Sequence, residues 1–104
     1  MKKKYIVKEN KLFNEIIQNG KRNSNKYYVL CRSSNNLTYN KFGIAVGTKV
    51  GNAVTRNKIK RQVRCIIDHN IKLFPNPYNY IIIVKKEILT ISYEDMENKL
   101  KELI

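Results

Sequence analysis

The sequence predicts an α/β protein of the α+β kind, a two-layer sandwich in which about four strands form a mixed sheet carrying three helices, in the chain order α-β-β-α-β-α. Three observations predict it. Apolar residues recur at helical spacing in three segments, each bounded by a capping or helix-breaking residue. Between them lie runs rich in β-branched and aromatic residues, separated by turn-prone stretches. Finally, 104 residues, 42% of them hydrophobic, suffice for one core and are too few for two domains of ordinary size, so residues 1–104 are expected to form one domain.

The first helix is expected to start at Asn10 as its cap and to carry Leu12, Phe13, Ile16 and Ile17 on one face, with Gly20 closing it in a left-handed turn. Tyr27 to Arg32 has strand composition, and the turn-prone segment Ser33 to Asn40 leads to a second strand, Lys41 to Lys49. These two read as a hairpin with a long loop, and an extra short strand near the start fits the same order. In the second strand Phe42, Ile44 and Val46 point one way, and Gly43, Ala45 and Gly47 the other. That second face has almost no side chains, so something can lie close against it. Asn52 can cap a long helix reaching about Leu73, stopped by Pro75 and Pro77. Tyr80 to Lys86 is a strand apolar enough to be covered on both faces. Ser92 caps a last helix with Glu94 and Asp95 in its first turn, where the dipole favours acid, and Tyr93, Met96, Leu100 and Leu103 as its buried stripe.

Charge narrows the function. Lys and Arg number 21 against 8 Asp and Glu, a formal +13, and such a protein attracts polyanions. The distribution is sharper than the total, because Ile16 through Ile67 contains no acidic residue and 11 of the 21 basic ones. Other chemistry finds little support. The lysines at Lys2 to Lys4 are not followed by the apolar run of a signal peptide or a membrane anchor, and Ile81 to Val84 is too short to span a bilayer. Cys31 and Cys65 fit no metal motif and are expected to be reduced thiols with no disulfide partner in a cytoplasmic protein. Gly43, Gly47 and Gly51 lack the spacing of a phosphate loop. His69 and its neighbour Asp68 point apart on a helix, and Glu94, Asp95 and Glu97 are explained by capping and dipole complementarity more simply than by a metal. No nucleophile and base are paired, so no catalytic residue and no bound cofactor or metal is expected.

The segment Lys49 to Arg64 carries the function. On a helical projection with Arg56 at 0°, Lys60 falls near 40°, Arg64 near 80°, Asn57 near 100° and Arg61 near 140°, while Ile59, Val63, Ile66 and Ile67 span roughly 280° to 20°. One side packs, and the adjoining side presents four cations and an amide. Three of the chain's five arginines lie between Arg56 and Arg64, and a guanidinium fork grips phosphate bidentately where an ammonium cannot.

These residues resemble the protein component of bacterial ribonuclease P. The family's hallmark is an Arg-Asn-Arg helix after a Lys-x-Gly-Asn-Ala-Val turn, continuing into Lys-Arg-x-x-Arg. Here it stands as Lys49, Gly51 to Val54, Arg56-Asn57-Lys58, Lys60-Arg61 and Arg64, with Lys58 in place of the third motif residue and Gly47-Thr48 where the family often has Ser-Lys. Element order, length and basicity extend the resemblance over nearly the whole chain. It implies a left-handed β-α-β crossover through the long helix. It implies that Lys49, Asn52, Arg56, Asn57, Lys58, Lys60, Arg61 and Arg64 face the ribonuclease P RNA, which would carry out phosphodiester hydrolysis with magnesium at its own active site. It further implies a cleft between the first helix and the sheet for the single-stranded 5′ leader of precursor tRNA, lined by Phe13, Ile17, Val29, Cys31 and Ala45. Ile17 and Cys31 stand where the family is commonly aromatic, and Tyr27, one alternation from Val29, is expected to substitute in part. The alternative is a structural ribosomal RNA binder, which would share the basic helix and lack the cleft.

Overall fold

The computed structural model describes residues 1–104. Helix α1 spans Asn10–Asn19, strands β1 to β3 span Lys21–Ser24, Tyr28–Ser34 and Lys41–Val46, helix α2 spans Ala53–His69, β4 spans Tyr78–Val84, and α3 spans Tyr93–Lys101. Short 3₁₀ segments lie at Lys3–Tyr5 before α1, at Ile71–Leu73 after α2 and at Lys86–Thr90 after β4. β1 is an additional strand between α1 and β2, and before α1 there is only the isolated bridge of Ile6 with Phe42.

The four strands form one mixed sheet in the order β1-β2-β4-β3. β1 and β2 are an antiparallel hairpin, turned at Asn25, whose side-chain oxygen accepts from the backbone N–H of both Tyr27 and Tyr28 at 2.9 Å. The expected hairpin of β2 with β3 does not form. β4 lies between them, antiparallel to β2 and parallel to β3, because Tyr80, Ile81, Ile82 and Val84 are apolar on both faces and only a central strand is covered on both. A parallel neighbour cannot be reached by a tight turn, and α2 makes the crossover from β3 to β4.

Helices cover both faces. On one, α2 and α3 bury Ile59, Val63, Ile66, Ile67, Met96 and Leu100 against Tyr28, Leu30, Phe42, Tyr80 and Ile82. Phe42, Phe74 and Tyr80 form its aromatic centre, with ring centroids 5.0 to 5.4 Å apart. On the other, α1 packs Ile16 against Val7, Cys31 and Ile81, flanked by the half-buried Leu12, Phe13, Ile17, Val29 and Ile83.

Several ends differ from expectation. Asn10 is the first helical residue of α1, and Glu9 occupies the cap position without a side-chain bond. Gly20 has φ −73° and ψ 163° and so is not left-handed. Its smallness matters instead, since a β-carbon there would stand 2.5 Å from the Ile16 carbonyl oxygen and 2.6 Å from that of Arg32. β3 stops at Val46, where the chain turns towards α2. α2 ends at His69, short of the prolines, because the Asn70 side chain donates to the Ile66 carbonyl at 2.8 Å and competes with continued helix. Tyr93 is 40% exposed and lies outside the buried stripe of α3. The caps at Asn52 and Ser92 form as expected, accepting from Thr55 N at 3.0 Å and Asp95 N at 3.1 Å.

Candidate nucleic-acid interface

α2 follows its projection. Ile59, Val63, Ile66 and Ile67 are buried, and Asn57, Lys58, Arg61 and Arg64 are exposed together with Lys49 and Asn52 in the preceding turn. Arg56 and Lys60, at the margin of the apolar sector, are half-buried. The Arg56 Nε is buried without a hydrogen-bond partner. The whole molecule contains two ion pairs, the amino terminus with Asp68 at 3.3 Å and Lys99 with Glu102 at 3.1 Å. No carboxylate therefore neutralises any cation from Lys49 to Arg64, and their combined field faces solvent.

Lys58 stands apart from this group. It projects about 160° from Lys60 and borders a cleft with Leu89 and Tyr93 on the α3 flank of the helix. Arg56, Lys60, Arg61 and Arg64 form one surface; Lys58 faces another.

The second candidate region lies on the α1 side of the sheet, across cross-strand rows fixed by register. One row aligns Arg22, Cys31, Ile81 and Gly43, and the next aligns Ser24, Val29, Ile83 and Ala45. α1 lies over the first row. Cys31 is 0% exposed there, and burial pushes its thiol up while the Arg22 guanidinium pulls it the other way. Gly43 is covered by the Phe13 ring. The second row remains partly open, with Val29, Ile83 and Ala45 half-buried, and Phe13 and Ile17 flank it from the helix. Past Ala45 the strip opens at Gly47, where a β-carbon would meet nothing within 4 Å.

Five of the expected residues, Phe13, Ile17, Val29, Cys31 and Ala45, thus share one side of the sheet, with Cys31 sealed beneath the helix and unable to contact a ligand. Tyr27 does not join them. The turn at Asn25 breaks the strand alternation just before it, and its ring packs with the α2 and α3 core. Ile83 was missing from the expected set, and only the central position of β4 reveals it. Arg22 was missed as well. Its guanidinium donates to the Ile17 carbonyl, from Nε at 3.2 Å, tying β1 to the last turn of α1 at the edge of the groove.

The sequence model of the Ribonuclease P family matches residues 1–104. The chain is 41% identical to the ribonuclease P protein component of Mesoplasma florum over 100% of this chain and 96% of that protein. It is 33% identical to that of Streptococcus pyogenes over 100% and 87%. Among solved structures it is similar to the RNase P protein from Thermotoga maritima, with TM-score 0.81 and 33% identity over 88% of this chain and 86% of that one. It is also similar to the Staphylococcus aureus RNase P protein, with TM-score 0.87 and 28% identity over 95% and 91%.

Proposed function

The chain belongs to the ribonuclease P protein family, and on that premise we propose that it is the protein subunit of a bacterial ribonuclease P, binding the catalytic RNA through α2 and the 5′ leader of precursor tRNA through the groove beside α1. The observation that carries this is the uncompensated cationic surface of Arg56, Lys60, Arg61 and Arg64 on a helix whose adjoining side is firmly packed. A rigid helix holding cations about one turn apart, some 6 Å, matches the spacing of phosphates on a nucleic-acid strand and orders few new groups on binding. Lys49 and Asn57 extend the surface, Asn52 holds the helix start, and Lys58 would reach a different strand or none.

The groove suits single-stranded RNA for a separate reason. Phe13 offers a ring, and the row Val29, Ile83 and Ala45 offers a low apolar floor on which bases can lie without large side chains in the way. With Ile17 in place of an aromatic and Cys31 covered, one ring carries the stacking.

Hydrolysis is assigned to the RNA, which would hold magnesium. Of the acids on α3, Glu97 accepts from the Asn70 side chain at 2.9 Å, and Glu94 and Asp95 occupy the helix's first turn. The protein's part is positioning and charge neutralisation. The test is reconstitution with a bacterial ribonuclease P RNA at low magnesium. Added protein should restore cleavage at the 5′ end of precursor tRNA, and protein without RNA should cleave nothing. Equal binding of precursor and mature tRNA by the reconstituted particle would support the structural ribosomal RNA binder instead.

A further inference from the structure

The arginines that α2 does not use are Arg22 and Arg32, and both line one cavity of about 340 Å³ at the β1 edge of the sheet. In a chain with five arginines among 21 basic residues, their meeting at one place is a second concentration of guanidinium groups. The cavity lies at the opposite edge of the sheet from β3, the strand on which α2 packs.

Lys21 and Arg32 are direct cross-strand partners in the β1–β2 hairpin. Like charges placed opposite each other on a strand pair repel, with β-carbons roughly 5 Å apart, and destabilise the hairpin that carries them. No carboxylate relieves this pair. Neither residue makes an ion pair. Arg32 is nonetheless held in place, its guanidinium lying 5.2 Å from the centroid of the Tyr78 ring. Arg22 is already committed to the Ile17 carbonyl, and Arg32 also bears on the Tyr80 phenol, which leaves Lys21 and the remaining N–H groups of the Arg32 fork to receive an anion. The rest of the wall supplies apolar surface from Leu30, Pro75 and Leu103.

We propose that Lys21 and Arg32 form a binding site for the phosphate group of a ribonucleotide, with the adjacent apolar wall receiving its sugar or base. A fixed guanidinium provides a two-pronged contact, and the lysine adds a mobile point charge. An anion seated between them removes the repulsion that the fold otherwise carries. Lys21 and Arg32 lie in the row of Tyr80 and Phe42, on the sheet face away from the α1 groove, and the cavity meets the groove edge only through Arg22; the site therefore stands or falls independently of the subunit role.

The test is a nuclear magnetic resonance titration of the full-length protein at constant ionic strength, following the Arg32 Nε–H and the Lys21 and Arg32 amides. Three probes are added separately: inorganic pyrophosphate, a ribonucleoside monophosphate, and a five-residue oligoribonucleotide. Saturable shifts at Lys21 and Arg32 are expected with at least one probe, unchanged in an Arg61→Ala, Arg64→Ala double variant. Arg32→Gln should weaken that binding about tenfold or more. Saturation by pyrophosphate or monophosphate marks a site open to free phosphates, and saturation by the oligoribonucleotide alone marks one for an RNA chain. Lys21→Glu places a carboxylate opposite Arg32, and should raise the melting temperature while abolishing the shifts. Shifts that are absent or unsaturable with all three probes, or that vanish when the α2 arginines are removed, overturn the proposal. A folded Lys21→Glu protein that still binds overturns it too.

Discussion

Phe13 on α1 lies so close over Gly43 on β3 that a β-carbon at position 43 would stand 2.7 Å from the ring edge and 2.6 Å from Ile81 Cδ1. The small-residue face of β3 therefore has two functions along its length. At Gly43 it admits the protein's own aromatic ring, and at Ala45 and Gly47 it stays open. Gly43→Ala should force Phe13 and Ile81 to move, costing about 1 to 3 kcal/mol in urea denaturation. Phe13→Ala should lower stability as well, and should also weaken the holoenzyme's binding of precursor tRNA by about 1 to 3 kcal/mol while leaving mature tRNA unaffected. Equal loss for both RNAs would reduce Phe13 to a packing residue.

Cys31→Tyr separates the groove from its lid. By family resemblance an aromatic there should strengthen leader stacking, but Cys31 is 0% exposed beneath α1. The ring would overpack that interface, and the expected result is a loss of about 1 to 3 kcal/mol in thermal or urea melts with no gain in leader affinity. Ala45→Trp, on the open part of the row, should leave the fold intact and obstruct precursor binding selectively.

Two arginines on α2 should behave differently. Arg61 is exposed on the side away from the buried stripe, so Arg61→Ala should leave the melting temperature unchanged and reduce the slope of log affinity against log salt for the RNA subunit by about 0.7 to 0.9. Arg56 buries an unpartnered Nε, and an unsatisfied buried donor costs about 1 to 3 kcal/mol. Arg56→Met keeps the packed stem, removes that donor, and should stabilise the free protein while weakening RNA binding. Calorimetry of the free protein and salt-dependent binding assays measure the two effects separately.

Alkaline pH should loosen the larger core. Burial pushes the Tyr80 phenol up from its ordinary 10.0 to about 12, with Arg32 pulling it down and Tyr78 adding to the rise. Its hydroxyl donates to the Pro75 carbonyl at 2.7 Å. Burial raises Tyr28 in the same direction, and its hydroxyl donates to the Met96 carbonyl at 3.0 Å. A phenol raised in the folded state favours folding fully below about pH 10, and that contribution is lost as pH climbs towards 12. Urea melts at pH 8 and 11 should show the decline, and Tyr80→Phe should be less stable at pH 8 yet lose less between the two.

The sequence by itself determined the helix faces and the chemistry on them. Periodicity and burial agree at Ile59, Val63, Ile66 and Ile67, and the cations of α2 had to fall beside that stripe, because a helix fixes every side chain's direction from spacing alone. The caps at Asn52 and Ser92 were legible for the same local reason. Strand neighbours are not local. Alternation in Tyr28–Ser34 and Lys41–Val46 gave two faces for each strand, but it was silent about β4 entering between them, and so about Ile83 joining Val29 and Ala45 in the groove. Only tertiary contact decided that Cys31 would be sealed while Ala45 stayed open, since coverage depends on where α1 ends over the sheet. It decided too that Lys21 would oppose Arg32, because register between two short strands is set by the turn at Asn25 and by the packing around it.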